Sequence, residues 1–264
     1  MKKIIVITLW IVMFAGTMVI FGFAVAEQKK VTCTGATIIL QDDGKPGFIN
    51  ETDIRKIIST LYNPLEGRCL DSINTQKIAE KLIKNPYINY ARVIKALSGQ
   101  IKVELKRSKA LVRVINQQGT SFYLGHQGES LPTNQQFIPK TLVATGYITD
   151  APDLSAKFIY DPMSNPLQAN SLLSRIYLLA SEINQHNLLK ESIGQIYVNR
   201  QKEFELVPSS GNHVILIGNG ENLEHKFENL LAFYQAGMNK IKPEDYNIID
   251  LRYKDLVYCK KSNQ

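Results

Sequence analysis

Residues 88–107, INYARVIKALSGQIKVELKR, contain the pattern that decides the fold of the first part of the chain. In the second half of this stretch Ile101, Val103 and Leu105 alternate with charged residues, which is the period of a strand with one buried face. The LSGQ sequence between the two halves is typical of a turn. The stretch therefore predicts a β-hairpin.

Two amphipathic helices are predicted before this hairpin, in residues 50–61 and 74–86, because apolar residues recur there at helical spacing. The candidate N-caps are Asn50 or Thr52 and Asn74 or Thr75, and the predicted buried positions are Ile54, Ile57, Ile58 and Leu61, then Ile78, Ala79, Leu82 and Ile83. Residues 32–40 have a strand-like sequence. The predicted order is therefore β-α-α-β-β, a layer of helices on a small sheet.

The most apolar part of the chain is residues 4–26, which contain no charged residue. A helix of this length can cross a hydrocarbon core of about 30 Å. A cleaved signal peptide is the alternative, because AVA precedes Glu27, but its apolar region normally spans only about 7 to 15 residues. We therefore predict a retained transmembrane helix, with the large C-terminal part outside the cytoplasmic membrane.

Composition and charge exclude several classes of protein. The chain is 44% hydrophobic and 21% charged, which is typical of a globular protein and not of a disordered one. Its formal net charge of +7 comes from basic residues that are scattered along the sequence. They do not form a basic face with interleaved aromatic residues, so nucleic-acid binding is not predicted. The sequence contains no nucleophile-elbow, zinc-protease, P-loop or dinucleotide motif, so neither catalysis nor a cofactor is predicted.

The three cysteines, Cys33, Cys69 and Cys259, do not have the spacing of a metal site. Either Cys33 and Cys69 form a disulfide, or all three cysteines are separate small buried residues. Three polar residues are predicted to lie at the surface: Asp42 and Asp43, an acidic pair in a turn, and His213, on an alternating strand.

The second half of the chain combines short strands with two long helices. Strand-like sequences lie at residues 110–116, 120–125, 140–148, 193–199, 203–208, 213–218 and 246–259, and helical periodicity covers residues 170–187 and 222–238. This pattern predicts a mixed sheet that carries two helices. The aromatic residues at strand or helix spacing are predicted to lie in its core.

Five stretches resemble the FtsQ/DivIB family of bacterial cell-division proteins. They are NPYINYARVIK, IKVELKRSKALVRV, SFYLGHQGESLP, FELVPSSGNHVILIGN and IIDLRYKDLVY. The resemblance covers residues 4–260. Two positions differ from the usual pattern of the family: RSKA at residues 107–110 lacks its proline, and Gly125 stands where the family usually has an aspartate.

This resemblance implies an α+β architecture with a single N-terminal transmembrane helix. Its parts are a short cytoplasmic N-terminus at residues 1–3, the span at 4–26, a POTRA domain at 31–106 and a β-domain at 107–260. It also implies a divisome component of the bacterial inner membrane whose partners are FtsB/DivIC-like and FtsL-like single-span proteins and septal peptidoglycan synthases. The alternative function is a POTRA-bearing periplasmic transport or chaperone module for outer-membrane or secreted polypeptides.

The closing stretch, residues 246–259, is predicted to be one strand with Ile249, Leu251 and Tyr253 on one face and Asp250, Arg252 and Lys254 on the other. An open outer edge would let a partner strand add by main-chain hydrogen bonds, and the resemblance implies docking at this place. The predicted partner-binding residues are Asp250, Arg252, Tyr253, Lys254, Asp255, Leu256 and Val257. A second interpretation stays open for Asp250 and Arg252, in which they form a structural corner that holds the strand in its sheet.

Overall fold

The computed structural model describes residues 9–20, 31–42, 45–152, 160, 163, 170–240, 246–253 and 256–261, with the backbone alone for residues 236–240. Contacts between residues divide the chain into two compact units. The first consists of Met1–Lys45 with Ile49–Arg107, and the second of Pro46–Phe48 with Ser108–Gln264.

The first unit is a three-stranded sheet with two helices. Its elements are β1 (Gly35–Leu40), α1 (Glu51–Ser59), a 3-10 turn (Leu70–Ser72), α2 (Thr75–Ile83), β2 (Ile88–Lys95) and β3 (Gln100–Arg107). The strand order is β1-β3-β2, in which β3 pairs parallel with β1 and antiparallel with β2. The β-α-α-β-β order and the hairpin that the sequence predicts are confirmed.

Both helices of this unit begin at asparagine caps. The Asn50 side chain accepts the Asp53 N–H at 3.0 Å, and the Asp53 carboxylate accepts the Asn50 N–H, which is a complete capping box. Asn74 caps α2 in the same way through the Lys77 N–H at 3.0 Å. The predicted apolar faces extend too far, because Leu61 lies beyond the end of α1 and Ile83 ends α2, and both are about two-fifths exposed.

The Asp42 side chain is buried, which contradicts the predicted surface loop for this residue, and Asp43 lies outside the described residues. Its carboxylate accepts a hydrogen bond from Arg107 Nε, and the rest of the Arg107 guanidinium donates to Ile49 O at 3.1 Å and Lys45 O at 2.6 Å. The pair is buried because the guanidinium finds a partner for each of its nitrogens in one loop. Arg107 therefore holds the loop after β1 against the end of β3.

Cys33 and Cys69 lie on neighbouring segments of the first unit but are not joined by a disulfide. Thr32 and Cys69 face each other in an antiparallel bridge, and the Cys33 N–H donates to Arg68 O at 2.7 Å. The Cys33 side chain is buried with its thiol directed at Gly35 O, whereas Cys69 is exposed. The structure therefore has no Cys33–Cys69 disulfide, but the alternative of three buried cysteines holds for Cys33 alone, because Cys69 is exposed and Cys259 is half-buried.

In its described residues, the second unit is built on a nine-stranded mixed sheet. Its strands are β4 (Ala110–Ile115), β5 (Ser121–Gly125), β6 (Ser130–Pro132), β7 (Leu142–Gly146), β8 (Ile193–Val198), β9 (Phe204–Pro208), β10 (Val214–Gly218), β11 (Tyr246–Asp250) and β12 (Tyr258–Lys261), and its helices are α3 (Leu172–Gln185), α4 (Asn187–Ser192) and α5 (Leu223–Lys240). The strand order is β12-β11-β10-β9-β8-β7-β4-β5-β6. The mixed sheet is confirmed, but a short third helix, α4, follows α3 where the sequence predicts two helices alone.

The core of this unit lies between the sheet and its helices. Phe122, Phe204 and Phe227 are fully buried, as their spacing predicts. His213 is buried as well, which contradicts its predicted place at the surface. Its Nε2 lies 3.1 Å from the Tyr234 hydroxyl on α5, a contact that joins distant parts of the chain and that strand alternation does not reveal.

Residues 9–20 form a helix. Among the residues that the structure describes, no helix is both long enough and apolar enough to cross a membrane. The predicted span, residues 4–26, extends outside the described residues at both ends, so the transmembrane helix stays a prediction.

Candidate functional site

The closing part of the chain forms two strands and a loop, not the single strand that the sequence predicts. β11 ends at Asp250, β12 begins at Tyr258, and the two pair antiparallel with Ile249 opposite Cys259. β11 also pairs parallel with β10, so it lies inside the sheet. The outermost strand at this end of the sheet is therefore β12.

A hydrogen-bonded corner ends β11. The Asp250 carboxylate accepts the Arg252 N–H at 3.0 Å, and it also accepts Arg252 Nε at 2.9 Å and Nη2 at 2.7 Å. A carboxylate that takes the N–H two residues ahead gives the backbone an alternative to the strand ladder, which is why the strand stops here. The interpretation of these two residues as a structural corner is the one that the geometry supports.

The corner is anchored on both sides. The Leu251 side chain is buried, and its N–H donates to Leu216 O at 2.9 Å. Gly218 has a φ of +80°, and a Cβ at that position would lie 3.1 Å from Arg252 Cγ. The backbone conformation therefore favours glycine at the end of β10, and a side chain there would also crowd Arg252.

Electrostatics keep the corner charged. Burial alone raises the pKa of Asp250, but the hydrogen bonds from Arg252 and the positive charges of Arg252 and Lys226 outweigh it and hold this pKa below its usual range. The same carboxylate raises the pKa of Arg252. Asp250 is almost buried whereas Arg252 is partly exposed, so the ion pair has one end in the core and one at the surface.

Three large side chains beyond the corner are exposed to solvent. Tyr253, Leu256 and Tyr258 are each more than half exposed, and the rings of Tyr253 and Tyr258 meet edge to face with centroids 5.0 Å apart. Half-buried Val257 lies between them in sequence and packs on the core below. These three exposed residues and the outer edge of β12 are called the closing-hairpin surface below. Exposed apolar side chains beside a strand edge are typical of a protein-binding site.

A groove of about 630 Å³ adjoins this surface. It lies between the ends of β9 and β10, the first half of α5, and the corner. Its lining residues are Glu203, Ile217, Gly218, Asn219, Glu221, Asn222, His225, Lys226, Asn229, Arg252 and Tyr253. Arg252 and Tyr253 belong both to the corner region and to the groove, so an occupant of the closing-hairpin surface also borders the groove.

The charges in the groove have both signs. Lys226 Nζ donates to Ile217 O at 2.7 Å, and burial lowers the pKa of Lys226 although Glu221 and Asp250 act to raise it. Arg252 Nη1 lies 3.9 Å from a Glu203 carboxylate oxygen. Within the described residues, no group of three histidine, cysteine or acidic side chains is arranged to hold a metal ion.

The structure separates the seven predicted binding residues into groups. Arg252, Tyr253 and Leu256 are exposed, Asp250 is nearly buried and Val257 is half-buried. Lys254 and Asp255 lie outside the described residues. The predicted faces of a single strand are wrong, because Ile249, Asp250 and Leu251 are all buried in succession where the chain turns at the corner.

Sequence reasoning missed Tyr258, which forms the aromatic pair with Tyr253, and the groove residues Glu203 and Lys226. The break between β11 and β12 has no local signal in the sequence, so Tyr258 was not recognised as part of a separate edge strand. The groove gives no local signal, because its walls come from segments far apart in the sequence.

The two units have different counterparts among known protein families. Residues 31–106 match the model of the POTRA-like domain, and residues 109–260 match the model described as FtsQ/DivIB, C-terminal related. A POTRA-like domain followed by this β-domain defines a class of bacterial division protein. The chain belongs to the FtsQ/DivIB-related family, as the resemblance of its sequence implies. No curated protein sequence matches it.

The family consists of membrane-anchored cell-division proteins of the scaffold type, which interact with other proteins of the division machinery. Membership supports a role in cell division for this chain.

Proposed function

We propose that the chain is a bitopic inner-membrane component of the divisome that scaffolds and regulates septal peptidoglycan synthesis. In this proposal it binds FtsB/DivIC-like and FtsL-like single-span proteins through its periplasmic part. Residues 4–26 form its membrane span, and residues 31–106 and 107–260 form its two periplasmic domains. Family membership supports the setting in cell division.

The observation that carries the proposal is the position of β12. It is the last strand of the nine-stranded sheet and pairs with β11 on its inner side. A strand at the end of a sheet presents N–H and C=O groups along its outer edge, and an extended partner segment can pair with them. The exposed Tyr253 and Tyr258 lie beside this edge and would contact side chains of such a segment.

The corner supports this function by fixing the surface in place. Three hydrogen bonds from Arg252 to the Asp250 carboxylate, with Leu251 buried behind them, hold the chain just before Tyr253. A partner that binds a surface already held in place loses less conformational entropy on binding. The corner is thus a positioning element, and the exposed tyrosines are the contact residues.

The test is a binding titration of the full chain, reconstituted in nanodiscs, with the FtsB/DivIC-like protein of the same organism. Truncation of an aromatic anchor typically costs about 2 kcal/mol, so we expect Tyr258→Ala to weaken binding by more than about tenfold. Tyr90→Ala is the matched control, because Tyr90 is a similarly exposed tyrosine on β2 of the first unit. Equal dissociation constants for both variants and the parent would contradict the proposed docking surface.

A further inference from the structure

The tip of the β2–β3 hairpin projects an apolar side chain into solvent. Leu97 is 87% exposed. The turn that carries it is closed by hydrogen bonds from Gly99 N–H to Ala96 O at 3.0 Å and from Ala96 N–H to Gln100 O at 2.8 Å. Lys95 ends β2 and exposed Lys102 follows the start of β3, so a lysine flanks the tip on each strand.

The chain enters the first unit beside this tip. The Thr34 N–H donates to Gly99 O at 2.9 Å. A Cβ on Gly99 would lie 2.7 Å from Thr32 O and 3.4 Å from Val31 Cγ1, and the φ of Gly99 is +83°. Residue 99 must therefore be glycine for the entering segment to pack against the turn. The parallel pairing of Gly35 with Gln100 continues this contact into the sheet.

Chain length limits how far the tip can lie from a membrane. The predicted span ends at residue 26, and Val31, which packs at the tip, is five residues later. Five residues reach at most about 17 Å even when fully extended. The interfacial layer of a bilayer occupies several ångströms on each side of the hydrocarbon core. The tip is therefore among the parts of the first unit that are tethered nearest to the bilayer, together with the loop at Leu70, whose N–H donates to Val31 O at 2.9 Å.

The charges at this end favour an anionic surface. Lys95 and Lys102 flank Leu97. The segment that packs beside Val31 and Gly35 contributes one more positive charge, from Arg68, and two negative charges, from Glu66 and Asp71. The net charge of these five side chains is positive. An exposed apolar side chain between basic residues is typical of an interfacial membrane contact.

We infer that the hairpin tip is a second membrane-contact site, in which Leu97 enters the interfacial layer of an anionic bilayer and Lys95 and Lys102 bind lipid phosphates. The inference rests on the membrane span of the proposed function. Since the tether keeps the tip close to the bilayer, a weak contact is sufficient for it to be occupied. Its consequence is that the first unit has a fixed orientation at the membrane and does not swing freely on its tether.

The experiment introduces a fluorescent reporter at the tip of the full chain. Trp10 is the single tryptophan, so Leu97→Trp is made in a Trp10→Phe background and reconstituted in vesicles of phosphatidylcholine with or without phosphatidylglycerol. Lipids brominated in their acyl chains serve as quenchers. The matched control is Ile83→Trp, because Ile83 is partly exposed at the end of α2, just before β2 runs toward the tip.

We expect the tryptophan at position 97 to have blue-shifted emission and to be quenched at least about twofold more than the one at position 83 in anionic vesicles. Adding Lys95→Glu and Lys102→Glu should remove this difference. Equal quenching at the two positions, or quenching that depends neither on lipid charge nor on the lysines, would overturn the inference. If the tryptophan at position 97 is shielded from solvent only after a partner protein is added, the tip binds that protein and not the bilayer, which also overturns the inference. A chain that does not reconstitute would overturn the span together with this inference, whereas a reconstituted chain with an unquenched tip overturns the inference alone.

Discussion

The Glu129 carboxylate lies directly against the α-carbon of Gly125: a Cβ on residue 125 would come within 2.3 Å of Glu129 Cδ. The two residues face each other across the turn between β5 and β6, where Gly125 N–H donates to Glu129 O and Glu129 Oε2 accepts the Gln127 N–H at 2.8 Å. FtsQ/DivIB proteins usually have an aspartate at this position. Here a carboxylate from the opposite strand fills the space over the turn, and only glycine leaves room for it.

We therefore expect Gly125→Ala to destabilise the chain by about 1–3 kcal/mol, the usual cost of overpacking a buried site. Glu129→Ala removes the obstacle, so the double variant should be less destabilised than the sum of the two single variants. The measurement is a urea denaturation series of the full chain in detergent, followed by circular dichroism. Strictly additive effects would show that Glu129 is not what excludes a side chain at residue 125.

The Asp250–Arg252 corner predicts a second stability effect. Asp250→Asn should cost about 1–3 kcal/mol, because a charge-assisted double hydrogen bond is lost at a nearly buried site. Arg252→Lys keeps the positive charge but cannot make the bidentate contact, so it should also destabilise the chain. Thermal melts of the parent and both variants check this result. An Arg252→Lys variant as stable as the parent would mean that charge alone holds the corner.

The corner also has a pH dependence with a definite sign. The pKa of Asp250 is lower in the folded chain than in the unfolded one, so its contribution to stability is present above the unfolded value and is lost as the pH falls through the folded value. The difference in stability between the parent and Asp250→Asn should therefore shrink below about pH 4. A difference that does not change between pH 7 and pH 3 would contradict the ion pair.

His213 predicts a loss of stability at mildly acidic pH. Burial lowers the pKa of His213, so the unfolded chain takes up a proton more readily than the folded one. The stability from neutral His213 is present above about pH 6.5 and is lost as the pH falls through the folded pKa. The Tyr234 hydroxyl beside His213 stays neutral over this range, because burial raises the pKa of Tyr234 to about 12.

Melting temperatures of the full chain at pH 7.5 and pH 5 test this prediction. His213→Gln should reduce the difference between the two temperatures, and exposed His225→Gln is the matched control that should leave it unchanged. Part of the difference should persist in His213→Gln, because burial lowers the pKa of His126 as well. If both variants match the parent, His213 does not titrate on unfolding.

The sequence predicts most of the strands and the long helices of both units because their signals are local. It does not predict β6, and it joins β11 and β12 into one strand. The hairpin of residues 88–107 is encoded by alternation and a turn glycine, and α1 and α2 by periodicity and an asparagine cap. The corner at Asp250 has no such signal. Alternation continues through Leu251 and Tyr253, and the strand ends because the Asp250 side chain takes the Arg252 N–H while Leu251 is fixed to β10.

Contacts between distant segments account for the rest of what the sequence does not predict. His213 is buried because Tyr234 on α5 packs against it, and Asp42 is buried because Arg107 reaches it from the end of β3. The groove needs β9, β10, α5 and the corner together. Periodicity identifies which face of an element is apolar, but it does not identify which element covers a polar side chain.

Within the described part of the chain no strand pairs with the outer edge of β12, and this predicts opposite effects for proline at two adjacent positions. Consecutive residues of an antiparallel strand direct their N–H groups to opposite sides, so one of Cys259 and Lys260 donates toward β11 and the other faces the outer edge. Proline at the inward position breaks the pairing with β11 and should lower the melting temperature. Proline at the outward position removes a hydrogen-bond donor from the outer edge alone, so the melting temperature should stay near that of the parent.

The outward variant is the one that tests docking. Loss of a hydrogen bond and the bulk of the proline ring should together weaken binding of the FtsB/DivIC-like protein by about tenfold, since about 1.4 kcal/mol corresponds to that factor. Cys259→Pro and Lys260→Pro are therefore compared in the same melt and in the same titration of the reconstituted chain. A variant that melts like the parent and also binds like the parent would show that the partner does not pair with β12. Two variants that both unfold would show that β12 is held from both sides and is not an open edge.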